Sequence, residues 1–132
     1  MTYRYLQAVL LSSAALAPGR AGADCKSPTT QLEINECAGD ELRAADAELN
    51  RVYKQALDKG DDSYRKRLQA AQRAWLLFRD AHVASLYPPE DQEAHGSARP
   101  MCKPLLLKQL TVERTAQLRL LLHPVDGDVC SP

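Results

Sequence analysis

From Ile34 onward the apolar residues Ile34, Ala38, Leu42, Ala45, Leu49, Val52 and Ala56 follow one another in steps of three or four. That interval lines one side of a 3.6-residue helix, so the chain must bury a helical stripe. The pattern then repeats. Tyr64, Leu68, Ala71, Trp75 and Phe78 predict a second helix from about Asp62 or Ser63 to Leu86, and Leu106, Leu107, Leu110, Leu118 and Leu121 predict a third over about Lys103 to Leu122. Residues that disfavour helices separate the three. Ser27 or Thr29 can cap the first with Pro28 in its opening turn, and Gly60 followed by Asp61 and Asp62 is a stop and a new start. Pro88 and Pro89 end the second helix, and Pro124 limits the third. Gly39 is a point at which the first can kink or split. No stretch alternates with period two for long enough to be a strand. The expected fold is all-α, an antiparallel bundle of three main helices.

The first 23 residues read as a secretory signal peptide: Arg4 gives a positive start, Leu6 to Ala17 an apolar stretch, and Ala21-Gly22-Ala23 a small-residue cleavage site. Cleavage there leaves residues 24–132 as one helical domain, expected to be periplasmic or secreted. No later segment has the roughly 20 apolar residues of a membrane helix, so no membrane span is expected. Cys25 lies just past the cleavage site, where a lipid-modified cysteine could stand. Asp24 argues against that, because a small residue is required immediately before such a cysteine, and the chain is expected to lack a lipid anchor. Removing residues 1–23 takes away Arg4 and Arg20 and no acid, so 15 basic residues face 17 acidic ones, a net charge of −2. Such a balance is not that of a nucleic-acid binder.

The four cysteines, Cys25, Cys37, Cys102 and Cys130, all follow the signal peptide, and an even number in an oxidising compartment implies two disulfides. Three pairings are open. Cys25 with Cys37 would close a short loop onto the first helix, and Cys102 with Cys130 would tie the C-terminal tail to the start of the last. None shows the close paired spacing of a structural zinc site, so no metal is expected.

Trp75 and Phe78 are the chain's single Trp and single Phe. Their economical use is as core anchors, with exposure as a partner's hot spot the alternative. Arg79 and Asp80 are neighbours and do not face each other on a helix. They are expected to pair across helices as structural residues, Arg79 with Asp46 or Glu48 and Asp80 with Arg114. Asn35, Asn50 and Gln72 border apolar stripes and suit interhelical hydrogen bonds. His82, His95 and His123 have no metal-ligand spacing, and no serine elbow, carboxylate pair or phosphate loop is present. Neither catalysis nor a cofactor is expected. Packing leaves one segment unexplained, the polar connection at 88–102. Its His95, Ser97 and Arg99 surround Gly96 and offer hydrogen-bond donors, either on a merely solvated loop or on a partner-binding one.

Several blocks together carry a resemblance: Thr30-Gln31-Leu32-Glu33-Ile34-Asn35-Glu36-Cys37-Ala38, Ala45-Asp46-Ala47-Glu48-Leu49-Asn50-Arg51-Val52-Tyr53, Gln72 to Ala81, Gly96-Ser97-Ala98-Arg99-Pro100-Met101, and Leu110 to Leu118. In that order and spacing, from about Cys25 to Leu122, the chain resembles the lysozyme inhibitor LprI-like N-terminal domain family of small secreted bacterial proteins. The resemblance implies a non-catalytic protein that occludes a lysozyme-type muramidase, with another protein partner in an envelope-stress role as the alternative. It also implies family cysteines where Val83 and Leu106 stand, so one family bridge is missing and Cys102–Cys130 is expected to replace it. Lysozyme's cleft holds two carboxylates. Among His95, Ser97 and Arg99, Arg99 is the strongest candidate to fork onto one of them.

Overall fold

The computed structural model describes residues 25–130 except 92, 94 and 95, so the signal peptide and His95 lie outside the described residues. Helix α1 spans Gln31–Asp58, α2 Asp62–Leu86 and α3 Arg99–Leu122, with a single 3₁₀ turn at Gly96–Ala98 before α3. The all-α fold of three helices is as expected, and α1 stays helical through Gly39. Its cap is neither Ser27 nor Thr29 but Thr30. The Thr30 hydroxyl accepts from Glu33 N at 3.2 Å, while the Glu33 carboxylate accepts from Thr30 N at 3.0 Å and Thr29 N at 2.7 Å. This reciprocal capping box satisfies donors that no helical carbonyl can reach, and those backbone donors hold the Glu33 carboxyl below its usual range. Cys25 is bonded to Cys37, whose side chain is buried in α1, and the 12-residue separation staples the N-terminal segment to the helix. Closing a loop of that size is worth about 3 kcal/mol by loop-entropy reasoning.

The direction of the chain follows from long-range contacts. Asp46 meets Arg79, and Leu57 O accepts from Arg65 Nε, so α2 runs back along α1. Glu41 pairs with Lys108, and Lys59 Nζ donates to Leu122 O at 2.8 Å, so α3 is parallel to α1. The most extensive packing is between α1 and α3, helices not adjacent in sequence. Leu49, Val52 and Ala56 of α1 meet Leu118 and Leu122 of α3, and Leu68 comes in from α2. Close approach is helped by side-chain size: Ala56 and Thr111 are completely buried, and Thr115 nearly so. The buried hydroxyls are accounted for. Thr115 Oγ1 donates to Thr111 O at 2.8 Å and Thr111 Oγ1 to Asp46 Oδ1 at 3.4 Å.

At the α1–α2 turn, Gly60 has no Cβ because the Tyr64 ring occupies that space. Asp61 then caps α2, its carboxylate accepting from Tyr64 N at 2.7 Å.

Helix α3 begins at Arg99, four residues earlier than the sequence indicates, which shortens the α2–α3 connection. Pro100 fits its first turn, where the missing N–H is unneeded.

The expected Cys102–Cys130 disulfide is absent; both are free thiols. Geometry accounts for this correction. Helix α3 carries the chain about 30 Å away from Cys102 by Leu122. Eight further residues return at most about 26–29 Å when fully extended. The tail is not extended, since Asp128 N donates to Val125 O and Cys130 N to Asp128 Oδ1.

One ion cluster links α1 to α3. Glu48 accepts from Arg51 Nε and Nη2 at 2.7 Å each and from Arg119 Nη2 at 2.5 Å. Arg51 first, then Arg119, pushes its carboxyl from 4.5 down to about 2. A folded value below the unfolded one contributes stability that is present above the unfolded pKa and lost as pH falls through the folded one. Acid unfolding is therefore expected to steepen between about pH 4.5 and 2, and Glu48→Gln to flatten that limb. An equally steep loss in the variant, followed by circular dichroism, would count against the assignment.

Candidate functional site

Two places bring polar side chains together. The first is a cleft of about 630 Å³ between α1 and α2. Asp46, Leu49, Asn50 and Tyr53 form one wall, at spacings that keep them on one side of α1. Gln69, Gln72, Arg73, Leu76 and Arg79 form the other, on α2. Arg79 is fixed. Its Nη1 lies 3.8 Å from Asp46 Oδ1, its Nη2 2.9 Å from Asp80 Oδ1, and its guanidinium 5.3 Å from the centre of the Trp75 ring. The expected Arg79–Asp46 pair is thus present, while Asp80 pairs with its neighbour and not with Arg114. A guanidinium on a long side chain reaches an adjacent carboxylate even though the two Cβ atoms diverge. Arg114 instead donates to Gln72 Oε1 at 3.1 Å and to Gln117 Oε1 at 3.0 Å, and burial lowers its pKa. Gln72 therefore makes the interhelical bond expected of it. Asn35 bonds Gln31 of its own helix, and Asn50 is exposed in the cleft.

The inward face of α2 differs from the expected one. Leu68, Gln72 and Val83 are buried, with Trp75, Leu76 and Arg79 half-buried beside them. Trp75 packs against the core cluster. Phe78 is not core: it is 56% exposed, and Leu77 beside it 74%. Each helical residue turns by about 100°, so a face centred on Leu68, Gln72 and Arg79 leaves Phe78 pointing sideways. Its ring stacks on His82 one turn later, centroids 5.6 Å apart.

The second place is the α2–α3 connection. Ser97 is exposed in the 3₁₀ turn, and Gly96 has φ 51°, a left-handed conformation that glycine accepts without strain. Arg99, expected to offer its guanidinium to a partner, is only 8% exposed. Its Nη1 donates to Asp91 O at 2.6 Å and its Nη2 to Pro88 O at 2.7 Å, with the guanidinium 5.8 Å from the centre of the Tyr87 ring. The physical reason is local. Two prolines end α2, the following carbonyls have no helical partners, and the planar fork satisfies two of them. Arg99 braces the loop from within and is not a free hand.

Among the described residues, no group of three or more His, Cys, Asp or Glu is placed to hold a metal ion, and no helix is long and apolar enough to cross a membrane. What the arrangement offers is hydrogen bonding and charge. The cleft was missed from sequence because Asn50 and Gln72 read there as the border of apolar stripes, and Asp46 as an ion-pair partner of Arg79. The signal that could have found it is that two blocks carrying the resemblance, Ala45 to Tyr53 and Gln72 to Ala81, each place polar residues at helical spacing beside apolar ones.

A family model described as Lysozyme inhibitor LprI matches residues 23–118. A protein of Rhizobium meliloti (strain 1021), described as Uncharacterized protein R02472, is 36% identical over 119 residues, covering 79% of this chain and 82% of its own. No solved structure matches the chain.

Proposed function

Because the chain belongs to the lysozyme inhibitor LprI family, we propose that it is a periplasmic or secreted, non-catalytic protein that binds and occludes lysozyme-type muramidases. The observation that carries this reading is the family match itself, which spans all of α1 and α2 and most of α3. Export is supported by the Cys25–Cys37 bridge, a bond suited to an oxidising compartment. The same bridge engages the thiol that a lipid anchor would need, in keeping with an unanchored protein.

The inhibitory element in this reading is the α2–α3 connection, where Ser97 lies exposed in the 3₁₀ turn. Lysozyme-type cleavage depends on two carboxylates in a cleft, and an inserted loop blocks access to them. A loop already held by Arg99 loses little conformational freedom on insertion, which favours affinity. Arg99 is thus a positioning residue. Inhibition of c-type, g-type and bacterial muramidases by the oxidised mature chain tests the function, and Ser97→Trp tests the loop. Bulk at the tip is expected to weaken inhibition at least tenfold, equivalent to about 1.4 kcal/mol, with the melting temperature unchanged. Full inhibition by Ser97→Trp would remove the loop from the mechanism.

A second reading is favoured by the exposure of Leu77 and Phe78 on α2. Large aromatics at a surface are common anchors of protein interfaces, and an envelope interaction module would use this helix face in place of the loop. Phe78→Ser would then abolish partner binding that Ser97→Trp leaves intact.

A further inference from the structure

We propose that the α1–α2 cleft is a binding site for a small acidic saccharide, a sugar ring carrying a carboxylate, separate from the loop invoked for inhibition. Its size comes first: about 630 Å³ lies within the range of roughly 300–1,000 Å³ typical of small-molecule sites. The chemistry of the walls narrows the ligand. Asn50 and Gln69 line the cleft with no hydrogen-bond partner among the described residues. Carboxamides donate and accept at once, which suits the paired hydroxyls of a sugar. Leu76 and the body of Tyr53, both half-buried, supply apolar surface for the C–H face of a ring. A wholly apolar ligand fits poorly, because it would strip water from these amides and return no hydrogen bond.

Charge supplies the carboxylate. The cleft holds one acid, Asp46, already paired with Arg79, which is itself held by Asp80 and Trp75. Arg73 has no ion-pair or hydrogen-bond partner among the described residues, so the uncommitted charge in the cleft is positive. A guanidinium engages a carboxylate through two parallel hydrogen bonds. Arg73 would take the acid group, and Asn50 and Gln69 the hydroxyls.

The test is a titration of the oxidised chain, followed by the NMR signals of the Asn50, Gln69 and Gln72 side-chain amides. Four probes are compared: glucuronate, glucose, acetate and N-acetylglutamate amide. Glucuronate is expected to shift those signals saturably at one-to-one stoichiometry, with glucose and acetate each binding at least tenfold more weakly. Arg73→Gln should erase the preference for glucuronate over glucose, whereas Asn50→Ala should weaken both sugars. The proposal is overturned if acetate matches glucuronate, which would mean simple anion pairing at Arg73. It is equally overturned if N-acetylglutamate amide matches it, which would make the cleft a receptor for an acidic side chain, or if no probe saturates.

Discussion

Replacing Leu118 with alanine is expected to cost about 3–5 kcal/mol of unfolding free energy, more than any change on the surface of α2. Leu118 is 1% exposed and belongs to the core cluster with Leu49, Val52, Ala56, Leu68 and Leu122. It sits in the α1–α3 contact, the most extensive among the described residues, so the void it leaves cannot be closed without shifting the two helices against each other. Domains of this size have about 5–15 kcal/mol in total, so the loss is a large share of the stability. Urea denaturation checks the effect as a lower midpoint at unchanged slope. A loss below about 1 kcal/mol would mean that α3 does not seat on α1 as described. By comparison, Trp75→Ala should cost less than the full value of a buried Trp, because the ring is only half-buried.

Arg99→Ala is expected to have the second largest effect, and on two properties at once. The guanidinium donates to the carbonyls of Asp91 and Pro88 and rests beside Tyr87. Hydrogen bonds from a charged donor are each worth about 1.5–3 kcal/mol, and partial access of water to the freed carbonyls puts the loss at about 2–3 kcal/mol. The connection between α2 and α3 should loosen, seen as faster amide exchange at Ser97 and Ala98, and muramidase inhibition should fall together with stability. Arg99→Lys should rescue neither fully, since an ammonium lacks the fork that reaches both carbonyls. If Arg99→Ala inhibits normally while its loop exchanges freely, the connection contributes nothing to binding. A direct contact between Arg99 and the enzyme would instead weaken inhibition with the loop still protected.

The residues themselves determined the three helices and most of their ends, the starts of α1 and α3 excepted. A step of three or four between apolar residues, a glycine with two aspartates, and a pair of prolines act within a few positions of one another, and backbone preference at that range is legible without a fold. The Cys25–Cys37 bridge was legible for the same reason, since it spans one short loop. Tertiary structure alone decided the rest. The tightest contact joins α1 to α3, which no local rule selects because they are separated by the whole of α2. The rotation of α2 turns Phe78 outward and Arg79 inward, a matter of about 100° between adjacent positions that an apolar stripe several residues wide does not resolve. The same rotation assembles the α1–α2 cleft from polar residues at the edges of two stripes. Arg99 changed most: its neighbours in sequence mark a flexible, polar loop, but the carbonyls of Pro88 and Asp91 beyond α2 accept from its guanidinium, and only the folded chain brings donor and acceptors together.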